Sequence, residues 1–159
     1  MDSAMEFVSE GERGRPYGGI SWLINKNNQI ENTEIINHKI SILKIENNIN
    51  IIGVYLHCNN GRKDNFDHHL QDVIQLESII ETLDIMIIGD FNSDNHRKNK
   101  FDKMLIDMIK RKNIKILDDR LYRSLKKEDR YTYEGGNGGR SWIDHVICNK
   151  QMKEEVLSI

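Results

Sequence analysis

The chain has 159 residues, of which 30% are charged, and a formal net charge of −2; this length suits one domain burying roughly 68–70% of its unfolded surface. Only Cys58 and Cys148 are present and no CxxC spacing occurs, which argues against a disulfide scaffold or structural zinc and for a reducing compartment. No apolar run approaches the roughly 18 residues of a bilayer span, and the amino terminus carries Asp2, Glu6, Glu10 and Glu12 rather than a basic region followed by an apolar one, so the expectation is an intracellular, cytoplasmic or nuclear chain that does not enter a membrane.

Taken in chain order, "GGISWLI" starts a strand closely after Pro16. "ISILKIE" and "INIIGVYL" are β-rich runs separated by Asn47 and Asn48, the signature of a hairpin and hence of antiparallel sheet. From Phe66 to Leu83 the apolar residues Phe66, Leu70, Val73, Ile74, Ile80 and Leu83 keep helical spacing, with Asp64 or Asn65 as caps. "IMIIGDF" follows; its unbroken apolar run predicts a strand buried on both faces. A second amphipathic helix runs through Phe101, Met104, Leu105, Met108 and Ile109. "IKIL" and "SWIDHVIC" are short strands, and "EGGNGGR" is the loop leading into the latter. No linker, repeat or low-complexity stretch divides residues 1–159, so a single domain is expected.

Between Arg97 and Arg130 stand 13 Lys or Arg against 6 Asp or Glu. That local excess could meet a polyanion by releasing its counterions, although a solvated helix face has the same composition. Arg97, Lys98 and Arg140 are candidate contacts to a phosphate backbone. Trp142 is a core or sheet-face residue by type, close enough to Asp144 in sequence to border a crevice there.

The chemistry concentrates at strand ends. "IMIIGDFNSD" plants Asp90 and Asn92 where a buried strand stops, and with Phe91 between them both project to one side. A carboxylate there can orient or deprotonate a water, and an amide can donate to an oxygen that gains negative charge. An acid capping a turn and an asparagine in a left-handed bend account for the same four residues equally well. "GVYLHCNN" ends another strand with Tyr55 and His57, both able to contact phosphate. "SWIDHVIC" sets Asp144 within an apolar strand, where an unpaired buried charge is costly, so Asp144 is expected to hold a metal, a backbone donor or a histidine.

"GRPYGGISWLI", "GVYLHCNN", "IIGDFNSD" and "YTYEGGNGGRSWIDHVICN" occur in the order and approximate spacing of the endonuclease/exonuclease/phosphatase (DNase I-like) family, and resemble most the endonuclease domain of LINE-type, non-LTR retrotransposons. The resemblance covers nearly the whole chain. It implies a four-layer α/β sandwich in which two mainly antiparallel sheets pack between helices. It also implies Mg²⁺-dependent hydrolysis of phosphodiesters in DNA, with Mn²⁺ as a substitute, by a monomer that needs no small-molecule cofactor. By the same resemblance Asp90 is the aspartate that activates the water, Asn92 its phosphate-binding partner and Tyr55 the phosphate-contacting tyrosine. Asp144 resembles the aspartate that orients a catalytic histidine. His57 departs from the pattern, which has proline there.

Two family features have no counterpart in the sequence. The strand ending in the glutamate that is the family's main Mg²⁺ ligand is missing before "GRPYGG", and "VLSI" comes before any Ser-Asp-His motif. The resemblance therefore leads us to expect a domain truncated at both ends, with weak or lost activity. The other readings are a non-catalytic retroelement remnant with weak nucleic-acid binding and another phosphoesterase of the same superfamily.

Overall fold

The computed structural model describes residues 3–4, 19–27, 30–46, 49–59, 64–80 and 85–149. In chain order its elements are β1 (Ser3–Ala4), β2 (Ile20–Ser21), β3 (Ile30–Asn37), β4 (Ile40–Ile45), β5 (Ile49–Tyr55), α1 (Asp64–Ile80), β6 (Ile85–Asp90), α2 (Lys100–Lys112), β7 (Lys115–Ile116), α3 (Asp119–Ser124), β8 (Tyr133–Glu134), β9 (Arg140–Ser141) and β10 (Asp144–Cys148). A mixed six-stranded sheet in the order β3-β4-β5-β6-β10-β7 is the centre of an α/β sandwich; the other ladders among the described residues, β1-β2 and β8-β9, are two-stranded.

Connection length sets strand direction. β4 and β5 are separated by three residues and pair antiparallel, Ile45 opposite Ile49; the turn residues Asn47 and Asn48 themselves lie outside the described residues. Between β5 and β6 the chain makes a helix, α1, and a strand entered through such a crossover returns parallel. β5 and β6 accordingly pair parallel, Tyr55 opposite Asp90, which corrects the expectation of antiparallel pairing at this one position. β3, "IENTEIIN", has no apolar alternation to reveal it. It is an edge strand with half of its residues exposed, none fully buried, and two irregularities in its register with β4. The expected first strand, "GGISWLI", contracts to Ile20–Ser21. Trp22 then lies across Gly53, where an added Cβ would be 2.9 Å from its Cζ2, and donates from Nε1 to Ser41 Oγ at 2.9 Å.

The core lies between the sheet and the two long helices. Ile52, Val54, Ile85, Ile87 and Ile147 meet Val73, Leu76 and Ile80 of α1 and Leu105 and Met108 of α2, each fully buried aliphatic side chain contributing roughly 1.5–3 kcal/mol. The buried stripe of α1 is His69, Asp72, Val73, Leu76 and Ile80. Leu70 and Ile74, expected inside, are 36% and 49% exposed; two polar residues take the inner face because each has a hydrogen-bonding partner at the end of β5. Leu83 lies outside the described residues. At the start of α2, Asn99 Oδ1 accepts from the backbone N–H groups of Phe101 and Asp102, and Asp102 accepts in return from the Asn99 N–H, a complete capping box. Asn113 closes the helix in the left-handed region. Arg111 of α2 donates to Glu77 of α1 at 2.6 Å.

Candidate active site

Alternation along the strands sorts their side chains. Ile85 and Ile87 of β6 and His145 and Ile147 of β10 face the helices, leaving Asp90 and Asp144 on the opposite side. Register brings three residues into one row: Tyr55 is opposite Asp90 across the β5–β6 ladder, and Asp90 is opposite Asp144 across the β6–β10 ladder. Directly opposed residues have Cβ atoms about 4.5–5.5 Å apart, and two like charges so placed repel. Three motifs that are 35 and 54 residues apart in sequence thus meet at one end of the sheet.

Backbone geometry fixes the tip of β6. Gly89 has φ +137°, and Phe91 buries its ring completely. Asn92 sits in the left-handed region at φ 49°, which asparagine tolerates. Its backbone N–H donates to Asp90 Oδ1 at 2.7 Å and its side-chain Nδ2 to the Leu56 carbonyl at 2.8 Å. The amide thereby ties the end of β6 to the end of β5. Tyr55, Asp90, Asn92, Arg97, Asn99, Tyr133 and Ser141 line a cleft of about 490 Å³. Behind Tyr55, the buried Lys39 places Nζ 4.3 Å from the ring centroid.

Burial pushes the Asp90 carboxyl up to about 6; the Asn92 N–H bond counters this, and the facing Asp144 adds to it. The folded chain therefore holds this proton more tightly than the unfolded one, whose carboxyl titrates near 3.8. Folding stability is lost as pH rises from about 4 to 6, and the deficit persists above that. Asp90→Asn is expected to stabilise the fold at pH 7–8 by about 1 kcal/mol, allowing for the remaining solvent access, or roughly 2–4 °C in Tm. At pH 4 it should change nothing. Thermal melts of both proteins at pH 4 and pH 8 check this, and an unstabilised variant at pH 8 would refute the cost of burying the charged Asp90 carboxylate.

Asp144 is exposed, contrary to the expectation of a buried acid. The residue of that strand that points inward is its neighbour His145, because alternation in β10 starts one position later than the apolar run suggested. His145 is 3% exposed; Nδ1 donates to Asp118 Oδ2 and Nε2 to the Ser93 carbonyl, each at 2.9 Å. Trp142 is buried rather than bordering the crevice, with Nε1 donating to Asp118 Oδ2 at 2.7 Å. His57 does not join Tyr55 in the cleft. Its Nδ1 donates to Asp72 Oδ2 of α1 at 2.7 Å, and its carbonyl accepts from His69 Nδ1. Burial lowers the His69 pKa. Arg140 is exposed, paired with Glu134 at 3.3 Å and stacked on Tyr131. Lys98 is exposed at φ 71°.

Arg97 does reach the cleft, held from behind. The Asp102 carboxylate, fully buried, accepts from Arg97 Nε at 3.2 Å and Nη2 at 3.0 Å, and from the backbone N–H groups of Asp94 and Asn99. Asp94 in turn accepts from the backbone N–H groups of His96 and Trp142. Asp94, Asp102 and Asp118 were not singled out from the sequence. Only Asp102, three residues after Asn99 as a capping box requires, left a readable signal. Among the described residues no group of three or more His, Cys, Asp or Glu side chains could hold a metal ion, and no helix is long and apolar enough to cross a membrane.

No family model matches the chain, and no curated protein does either. Among solved structures, a beta toxin from Staphylococcus aureus superimposes with a TM-score of 0.55 at 15% sequence identity, covering 77% of this chain and 51% of that one. The chain spans about half the length of that structure, and the likeness identifies the fold as DNase I-like.

Proposed function

We propose that the cleft hydrolyses phosphodiesters of DNA with the help of a weakly held divalent cation, Mg²⁺ or Mn²⁺, as in the endonuclease domains of LINE-type retrotransposons. The observation that carries this reading is the row Tyr55–Asp90–Asp144 with Asn92 at its end. Asp90, with a pKa of about 6, is ionised enough near neutral pH to accept a proton from a water and basic enough to do so usefully. Asn92 and the Tyr55 phenol supply donors for phosphate oxygens.

The donor set fits a hard cation in minimal form: two facing carboxylates whose mutual repulsion a divalent ion would relieve, matching the one or two carboxylates with which Mg²⁺ is usually held. Asp90 and Asp144 are the residues that would hold it. When bound, the ion would supply Lewis-acid stabilisation of charge on the phosphate. With two carboxylates rather than three, affinity is expected to be low. That same shortage favours the second reading, a non-catalytic nucleic-acid-binding remnant.

Nicking of supercoiled plasmid in millimolar Mg²⁺ or Mn²⁺ separates the two. Hydrolysis predicts a rate that requires the added cation and falls at least about a hundredfold in Asp90→Ala, the usual cost of losing a general base. A plasmid left intact by the wild-type chain, or nicked equally by the variant, leaves only the binding reading.

A further inference from the structure

Away from the carboxylates, Arg97, Asn99 and Ser141 present N–H and O–H donors on the wall of the cleft. Arg97 spends its Nε and one Nη2 hydrogen on the buried Asp102 carboxylate, and Nη1 donates to Ser141 Oγ at 2.7 Å. A guanidinium has five N–H groups, so one hydrogen on each of Nη1 and Nη2 is left over. The Ser141 hydroxyl, accepting from Arg97, must direct its own hydrogen elsewhere. Asn99 has its amide orientation fixed by the helix: Oδ1 accepts from the Phe101 and Asp102 N–H groups at 2.9 and 3.0 Å, which leaves its NH₂ as the end offered to the cleft. All three residues line the same cavity as Asp90.

Such a surface suits an anion, and its rigidity favours that use. Asp102 is fully buried and accepts from four groups, so the guanidinium is oriented before any ligand arrives, which lowers the entropy cost of binding. Ser141 precedes Asp144 by three residues, so no more than roughly 10 Å of chain separates them. A ligand that reaches both ends must carry anionic groups in succession.

We propose that Arg97, Asn99 and Ser141 form a second anion subsite. It takes the phosphate next to the one at the Asp90–Asp144 end and so selects a polynucleotide strand over an isolated phosphoester. The inference rests on the reading that the cleft handles phosphodiesters, and it adds what part of the substrate is recognised beyond the reacting group.

The test is binding in millimolar Ca²⁺, a hard cation the two carboxylates would take in place of Mg²⁺, measured by competition of thymidine oligonucleotides with one, two or four phosphodiesters against a fluorescein-labelled 12-mer. The wild-type chain is expected to gain about tenfold in affinity between one and two phosphodiesters, the worth of a charge-assisted contact. Asn99→Asp keeps a good N-cap and replaces the NH₂ donor by an anionic oxygen. It should leave Tm in place, weaken the 12-mer about tenfold and flatten the ladder. Ser141→Ala, which leaves the Arg97–Asp102 pair intact, should do the same to a lesser degree.

A flat ladder in the wild-type chain, no binding of any oligonucleotide, or an Asn99→Asp protein that binds like wild type would each overturn the subsite. Plasmid nicking tests the other reading separately. A chain that shows the ladder but does not nick has the subsite without the hydrolysis, and one that nicks with a flat ladder has the reverse.

Discussion

Gly89→Ala is expected to leave the chain without a cooperative fold. Gly89 has φ +137°, a backbone region L side chains rarely adopt, and an added Cβ would stand 2.1 Å from the Val54 carbonyl oxygen. Neither side can give. Val54 lies in β5, paired with β4 on one side and β6 on the other, and Gly89 is itself paired with His145 of β10. Relief would need the central strands of the sheet to part. The cost should exceed about 4 kcal/mol, in the class of the most damaging single substitutions and a large share of a typical domain's 5–15 kcal/mol. Gly136→Ala is the control, since a Cβ there meets nothing within 4 Å; it should change stability by less than about 0.5 kcal/mol. Circular-dichroism melts of the two variants decide. A Gly89→Ala protein melting within a few degrees of wild type would mean that β6 does not follow the path described.

Asp118→Ala should cost about 3–5 kcal/mol, the penalty for removing one partner of a buried hydrogen-bonded pair. Asp118 Oδ1 accepts from the Val146 N–H at 2.7 Å, and Oδ2 from Trp142 Nε1 and His145 Nδ1. All three donors would be stranded. The His145 side chain is 1% exposed and could not turn to water. Because its other nitrogen holds the Ser93 carbonyl, the loop carrying Asn92 should loosen as well.

Burial would raise the Asp118 carboxyl, but the hydrogen bonds from His145, Val146 and Trp142 outweigh it and hold the pKa below the ordinary 3.8. The folded chain releases this proton more readily than the unfolded one, so the stabilisation is present above about pH 4 and is lost as pH falls through the folded value. Urea midpoints at pH 7 and pH 3 are therefore expected to separate wild type from variant widely at pH 7 and less at pH 3. Equal midpoints at pH 7 would show that Asp118 bears no structural load.

Most elements could be read from local pattern. β4, β5, β6, α2 and β10 coincide with apolar runs or helical spacing, because burying one face is a property each segment carries alone. α1 was legible in extent and misjudged in face, since His69 and Asp72 enter the core only by virtue of partners at the end of β5. β3 left no signal: an edge strand is held by backbone bonds to β4 and needs no apolar side.

The site shows the same division. Asp90 and Asn92 stood out because acids and amides seldom follow so apolar a strand, and Tyr55 and Asp144 because they end or interrupt one. That these four belong together was implied by the resemblance to a family and by nothing in their spacing. The turn of His57 toward α1 and the Asp118–His145 pair were invisible for the same reason.

The sequence by itself determined which segments become strands and helices, and which of them end in chemistry. Tertiary structure alone decided that β6 runs parallel to β5 and antiparallel to β10, and with that the row Tyr55–Asp90–Asp144. A segment's own residues specify how much surface it must hide, but register and direction are set by the neighbour against which it is hidden.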